Sequence, residues 1–137
     1  MDFKLELIVL PAADVDRLKT FYMDNAGFRL DVDHQDGDFR VVQLTPPGSA
    51  CSITLMPQAA AAGPIQGLHL IVTDIEAARE ELAGRGVEVS DVFHFEAGGQ
   101  KPGPDPERGS YNSFLSFNDP EGNGWLVQEV TNQEPRE

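Results

Sequence analysis

Val9-Leu10-Pro11-Ala12-Ala13-Asp14-Val15-Asp16 returns, sixty residues further on, as His69-Leu70-Ile71-Val72-Thr73-Asp74-Ile75-Glu76. Each copy is a short apolar run that ends in an aspartate placed to cap a helix. Gly27-Phe28 then sits over Gly86-Val87 after one indel. Self-similarity on this scale is an internal repeat. It predicts two units, each a strand, a helix and about three more strands. One such unit cannot bury both faces of its own sheet. Two can pair side by side, with helices outside and a concave sheet face inside.

Working outward, residues 3–10 read as a strand that Pro11 ends. Asp14 caps a helix over about 15–25, where Val15, Leu18, Phe21 and Tyr22 recur at helical spacing and Gly27 closes the run. Strands follow over 28–32, 39–44 and 51–56, with His34 in the turn between the first two. Residues 59–63 read as a linker. In the second copy, 67–72 is a strand, Asp74 caps a helix over about 75–83 and Gly86 ends it. Short strands are expected over 87–89 and 92–95, then a long Gly- and Pro-rich loop over 96–110, by its length either a binding loop or lid or an ordinary mobile surface loop. Residues 111–117 lead into the hairpin Leu115 to Val130, whose turn, Asp119-Pro120-Glu121-Gly122, has turn chemistry at every position. The tail beyond Val130 is polar and is expected to fray. The fold class is thus α+β, one domain over 1–137 built of modules at 3–57 and 66–130 with a tail at 131–137.

Composition narrows the function. A chain of 137 residues with 40% hydrophobic content supports a real core. The net charge is −13, with 10 Lys and Arg against 23 acids, which argues against nucleic acid and favours a cationic ligand or simply an acidic, soluble surface. The single cysteine, Cys51, excludes a disulfide framework and reads as an inert thiol. No apolar run suits a membrane span or a secretory leader, so a cytoplasmic protein is expected. No glycine-rich phosphate fingerprint is present, so no nucleotide cofactor is expected.

The sequence resembles the vicinal oxygen chelate superfamily, the glyoxalase/bleomycin-resistance/dioxygenase group. The resemblance rests on Asp14 with Phe21-Tyr22 and Gly27-Phe28, on Asp74-Ile75-Glu76-Ala77-Ala78 and Gly86-Val87, and on Asp119-Pro120-Glu121-Gly122-Asn123. It implies the paired βαβββ fold and a ligand cavity, and it suggests homodimerisation. Metal-binding members place four ligands on the concave face. Those positions fall here on Leu7, near Thr54, on Gly67 and on Leu126. None is a histidine or carboxylate, so no cofactor is expected. One alternative stays open. A bulge at Gly124 would turn Glu129 inward instead of Leu126 and Gln128, and His69 with Glu129 could then hold a divalent metal ion, helped by Gln128 or a partner chain.

His69 is the residue with the most chemical promise. Alternation puts Gly67, His69 and Ile71 on the cavity face if Leu68, Leu70 and Val72 pack on the helix. It reads either as a ligand-bonding group or general base, or as a half-buried histidine bonded to a neighbour. Leu7, Val9 and Leu126 would supply an apolar lining, and Gln128, Tyr111 and Arg108 polar contacts. Arg40 and Gln43 fall on opposite faces of one strand, as do Phe114 and Phe117. The functional expectation is a metal-independent small-molecule binding protein of the bleomycin-resistance type, taking an apolar or cationic aromatic compound. The alternative is a glyoxalase-like lyase or isomerase, or a dioxygenase-related enzyme, using His69 as base or His69 and Glu129 with a metal. A third reading is an interaction module with a filled cavity.

Overall fold

The structure, a computed structural model, describes residues 1–131. The chain forms two compact units. The first is Met1–Ile65 together with Asp119–Asn123, and the second is Gln66–Asn118 with the chain from Gly124 onward.

The first unit contains β1 (Leu7–Pro11), α1 (Val15–Thr20), a π-helical turn (Phe21–Asn25), β2 (Arg29–Asp36), β3 (Phe39–Thr45), β4 (Ser52–Met56) and a 3-10 helix (Pro57–Ala62). Its sheet runs β1-β4-β3-β2, with β1 parallel to β4 and the other pairs antiparallel. Asp14 caps α1, its carboxylate accepting from the Arg17 amide at 3.1 Å. Leu10, Val42, Leu44, Ile53 and Leu55 pack in the core with Val15, Leu18 and Tyr22 of the helical segment. The Asp119–Asn123 turn is woven into this unit. Asp119 is buried and accepts from the Tyr22 hydroxyl at 2.6 Å and the Asn123 side-chain amide at 2.8 Å. Glu121 accepts from the Ala13 and Asp14 amides at 2.7 Å each, which satisfies donors at the entry to α1.

The second unit contains β5 (Leu68–Val72), α2 (Ile75–Gly84), β6 (Phe93–Glu96), β7 (Gly99–Pro102), β8 (Phe114–Asn118) and β9 (Gly124–Glu129). Its order, β5-β9-β8-β6-β7, repeats the topology of the first sheet with one strand added at the edge. Here too the first and last strands are parallel. Asp74 caps α2, accepting from the Glu76 and Ala77 amides. Leu115, Phe117, Trp125 and Val127 form the buried layer, with the Phe117 and Trp125 rings stacked at 6.0 Å.

Several local expectations are corrected. His34 lies in β2, because the β2–β3 turn tightens onto Gly37, which takes φ +61°. Residues 59–62 belong to a 3-10 helix that Pro57 starts and Gly63 caps. No strand forms over 87–89. The 96–110 stretch is not loop throughout, since its first part pairs as β7 in a hairpin with β6. The expected frayed tail lies, from residue 132, outside the described residues.

Candidate functional site

In each unit the face of the sheet turned away from the helix presents the side chains of interest. In the second unit this face is set by an unbroken register. His69 pairs with Leu126, Ile71 with Gln128, Phe114 with Gln128, Ser116 with Leu126, and Phe93 with Phe114. Partners in register share a face, so His69, Ile71, Leu126, Gln128, Phe114 and Phe93 stand together. Phe95, two residues beyond Phe93, joins them. The three phenylalanines form a cluster. Phe93 and Phe114 stack at 5.5 Å, and Phe95 meets both edge-on at 5.9 and 5.6 Å. Phe95 stays 49% exposed and Ile71 46% exposed, so this apolar layer lacks a cover within its own unit. Beside it a groove of about 480 Å³ runs along Phe93, Gln100, Pro102 and Ser116.

Two polar heads punctuate that face. The His69 Nδ1 lies 2.7 Å from the Gly67 carbonyl oxygen. A carbonyl only accepts, so Nδ1 carries the proton, and Nε2 is the ring nitrogen that can accept. The Gln128 amide donates to the Tyr111 carbonyl at 3.4 Å, which commits its nitrogen and leaves its oxygen as an acceptor. Tyr111 is exposed and holds a left-handed backbone, φ +71°.

The bulge alternative is overturned. Gly124 pairs with Asn118 and the ladder runs without a break to Gln128. A Cβ added at Gly124 would lie 1.9 Å from the Gln66 side-chain oxygen, so the Gln66 side chain packs directly over this position. Glu129 therefore lies on the helix side, fully buried. Its carboxylate accepts from the Ile75 amide at 3.0 Å, from Arg108 Nη2 at 2.6 Å and from Arg108 Nε at 3.1 Å. The guanidinium holds this carboxyl below the ordinary glutamate range. Arg108, expected to reach a ligand, is occupied by Glu129, with Glu76 and Asp74 at 3.4 and 3.7 Å. His69 and Glu129 point to opposite faces and cannot share a metal ion.

The first unit's helix-free face carries Leu7 and Val9 on β1, Thr54 and Ser52 on β4, and Gln43 and Thr45 on β3. Val9 remains 40% exposed and Leu7 half-buried. Arg40 is on the other face, clamped by Asp33 and Asp16.

The profile of the Glyoxalase/Bleomycin resistance protein/Dioxygenase superfamily matches residues 4–127. The chain belongs to that superfamily. Among solved structures, it is 27% identical to TnmS3, an antibiotic binding protein from Streptomyces sp. CB03234, with 94% of this chain and 97% of that one covered and a TM-score of 0.69. A glyoxalase/bleomycin resistance protein from the same strain is also 27% identical, with 92% and 100% covered and a TM-score of 0.70. A superfamily member from Sphaerobacter thermophilus DSM 20745 is 25% identical, with 94% and 98% covered and a TM-score of 0.72. None of the curated proteins matches.

The superfamily's metal does not fit this donor set. In the first unit its positions hold Leu7, without a lone pair, and Thr54, a neutral hydroxyl. In the second they hold Gly67 and Leu126, and the neighbouring imidazole of His69 stands alone beside Leu126. Among the described residues no three His, Cys, Asp or Glu side chains converge on a point. No helix among them is long and apolar enough to cross a membrane.

Sequence reasoning placed His69, Leu126 and Gln128 together, and the structure brings them onto one face. It missed Phe93 and Phe95. Their spacing of two on one strand was the signal, hidden by the shortness of that strand.

Proposed function

We propose that this protein is a metal-independent binding protein for an apolar or cationic aromatic small molecule. The observation that carries this is the helix-free face of the second sheet. Its exposed Phe95 and Ile71, stacked Phe93 and Phe114, and polar heads His69 and Gln128 have the composition of a ligand site. An aromatic ring laid on Phe95 and Ile71 removes apolar area from water on both partners, at about 25 cal/mol per Å². His69 Nε2 and the Gln128 oxygen then accept hydrogen bonds and fix orientation. The net charge of −13 favours a cation over an anion. The antibiotic-binding description of one similar structure supports the same reading.

The test is a fluorescence titration with 9-aminoacridine and 2-methylnaphthalene on the chelator-treated protein and on Phe95→Ala. Saturable binding by the parent, weakened about tenfold in Phe95→Ala with the melting temperature retained, is the expected result. No saturable binding of either probe contradicts the proposal.

A second reading, an enzyme with His69 as general base, is favoured by the one feature that leaves Nε2 as an acceptor. It predicts turnover of a carbonyl compound that His69→Ala abolishes while probe binding persists.

A further inference from the structure

On the helix-free face of the first sheet, four side chains form a directed chain. The Thr45 hydroxyl bonds Asp31 Oδ2, Ser52 Oγ lies 2.7 Å from Thr45 Oγ1, and Gln43 Nε2 lies 3.4 Å from Ser52 Oγ. The direction is forced from one end. An ionised carboxylate only accepts, so Thr45 donates to Asp31. Ser52 must then donate to Thr45, and Ser52 accepts from the Gln43 amide. Arg29 holds the other oxygen of Asp31 at 2.8 Å. The amide nitrogen of Gln43 is thereby committed, and its oxygen is turned away from the chain.

Gln43 is paired in register with Thr54 on β4, and Thr54 with Val9 on β1. Thr54 is 3% exposed, and its hydroxyl is the one buried side-chain polar atom without a hydrogen-bond partner among the described residues. A buried hydroxyl left unbonded opposes folding, and such groups are rare. A valine of the same shape would avoid that cost. The position thus holds an oxygen that the fold does not use, in register with a glutamine whose amide nitrogen is already committed and whose oxygen is left as an acceptor.

We propose that Gln43 and Thr54 form an anchor for the hydroxyl group of a ligand, a phenol or alcohol on an apolar body. A hydroxyl is the group that can do both things the pair requires. It donates to the Gln43 oxygen and accepts from Thr54. Register partners lie about 5 Å apart, close enough for one oxygen to bridge them. Exposed Val9 beside Thr54 supplies apolar contact for the rest of the molecule. The inference rests on the reading that the protein binds small molecules, and it assigns to this face of the first unit a specificity for hydroxylated ones.

The test compares 2-naphthol with 2-methylnaphthalene, which differ by hydroxyl against methyl, on the parent, Thr54→Val and Thr54→Ser. The parent should bind the naphthol about tenfold more tightly, the effect of one to two neutral hydrogen bonds. Thr54→Val should lose most of that preference and melt a few degrees higher. Thr54→Ser should keep the preference. If Thr54→Val retains the preference, or melts several degrees lower, the anchor is refuted. If the parent binds both probes equally, small-molecule binding stands and the anchor falls. If neither probe binds, both readings fall together.

Discussion

Replacing Glu129 with Gln tests the register of the last strand, on which the account of the second face depends. The carboxylate is fully buried and accepts three hydrogen bonds, one from Ile75 and two from Arg108. Glutamine keeps the shape and can still accept from the Ile75 amide. It loses the charge-assisted pair and turns an NH₂ toward a guanidinium that has no acceptor to offer. Breaking a fully buried pair costs about 3–5 kcal/mol. The Arg108 side chain is 41% exposed, so it can relax toward water, and the expected cost falls to about 2 kcal/mol. For a chain of this length that is a drop of roughly 6–10 °C in melting temperature. The pH dependence gives a second signature. Because Arg108 depresses the folded-state value, Glu129 contributes stability above the ordinary glutamate range, near pH ~4.3. That contribution is lost as pH falls through the lower folded-state value. Glu129→Gln should therefore flatten acid unfolding below about pH 4.5. Differential scanning calorimetry between pH 3 and pH 7 measures both effects. A variant that melts within 1 °C of the parent at pH 7, with the same acid limb, would refute the burial of Glu129 on the helix side.

Further predictions concern the other polar hubs. Asp119→Ala strips a buried carboxylate of its bonds to Tyr22 and to both nitrogens of Asn123, and should destabilise the fold by about 3 kcal/mol in urea unfolding. Tyr22→Phe should cost about 1 kcal/mol in the same assay. His94 is buried with both ring nitrogens against acceptors, Nε2 at 2.5 Å from Glu96 and Nδ1 at 2.7 Å from the Gly103 carbonyl. The Glu96 carboxylate and then that carbonyl raise its pKa above the ordinary histidine range. Its contribution is thus full below about pH 6.5 and is lost as pH rises through the folded-state value. Amides of β6 and β7 should exchange faster at pH 9 than at pH 6 after correction for intrinsic rate, and His94→Asn should remove most of that difference.

The fold was legible because the repeat is written in helix caps. Asp14 and Asp74 each follow an apolar strand, and capping is a local interaction that needs no tertiary context. Face assignments were legible where alternation was clean, as for His69 and Gln128. They failed where a residue's role is set by distant chain. Arg108 looked like a ligand contact because nothing local shows that Glu129, twenty-one residues on, holds it. Gly124 looked like a bulge because the Gln66 side chain that lies against it is far away in sequence. The 96–110 stretch hid β7 because Gly99-Gln100-Lys101-Pro102 lacks apolar alternation. Its pairing is imposed by Phe93 to Glu96 opposite. The polar chain from Asp31 to Gln43 spans three strands and has no signature along any one of them.

The most direct test of a metal-independent aromatic site is elemental mass spectrometry of the untagged protein, made alongside the 9-aminoacridine titration. Both are repeated after chelation and after divalent metals are added back. The account predicts well under one equivalent of any transition metal and the same affinity in all three states. About one Fe, Mn, Ni or Zn per chain, required for binding and lost in His69→Ala, would contradict it.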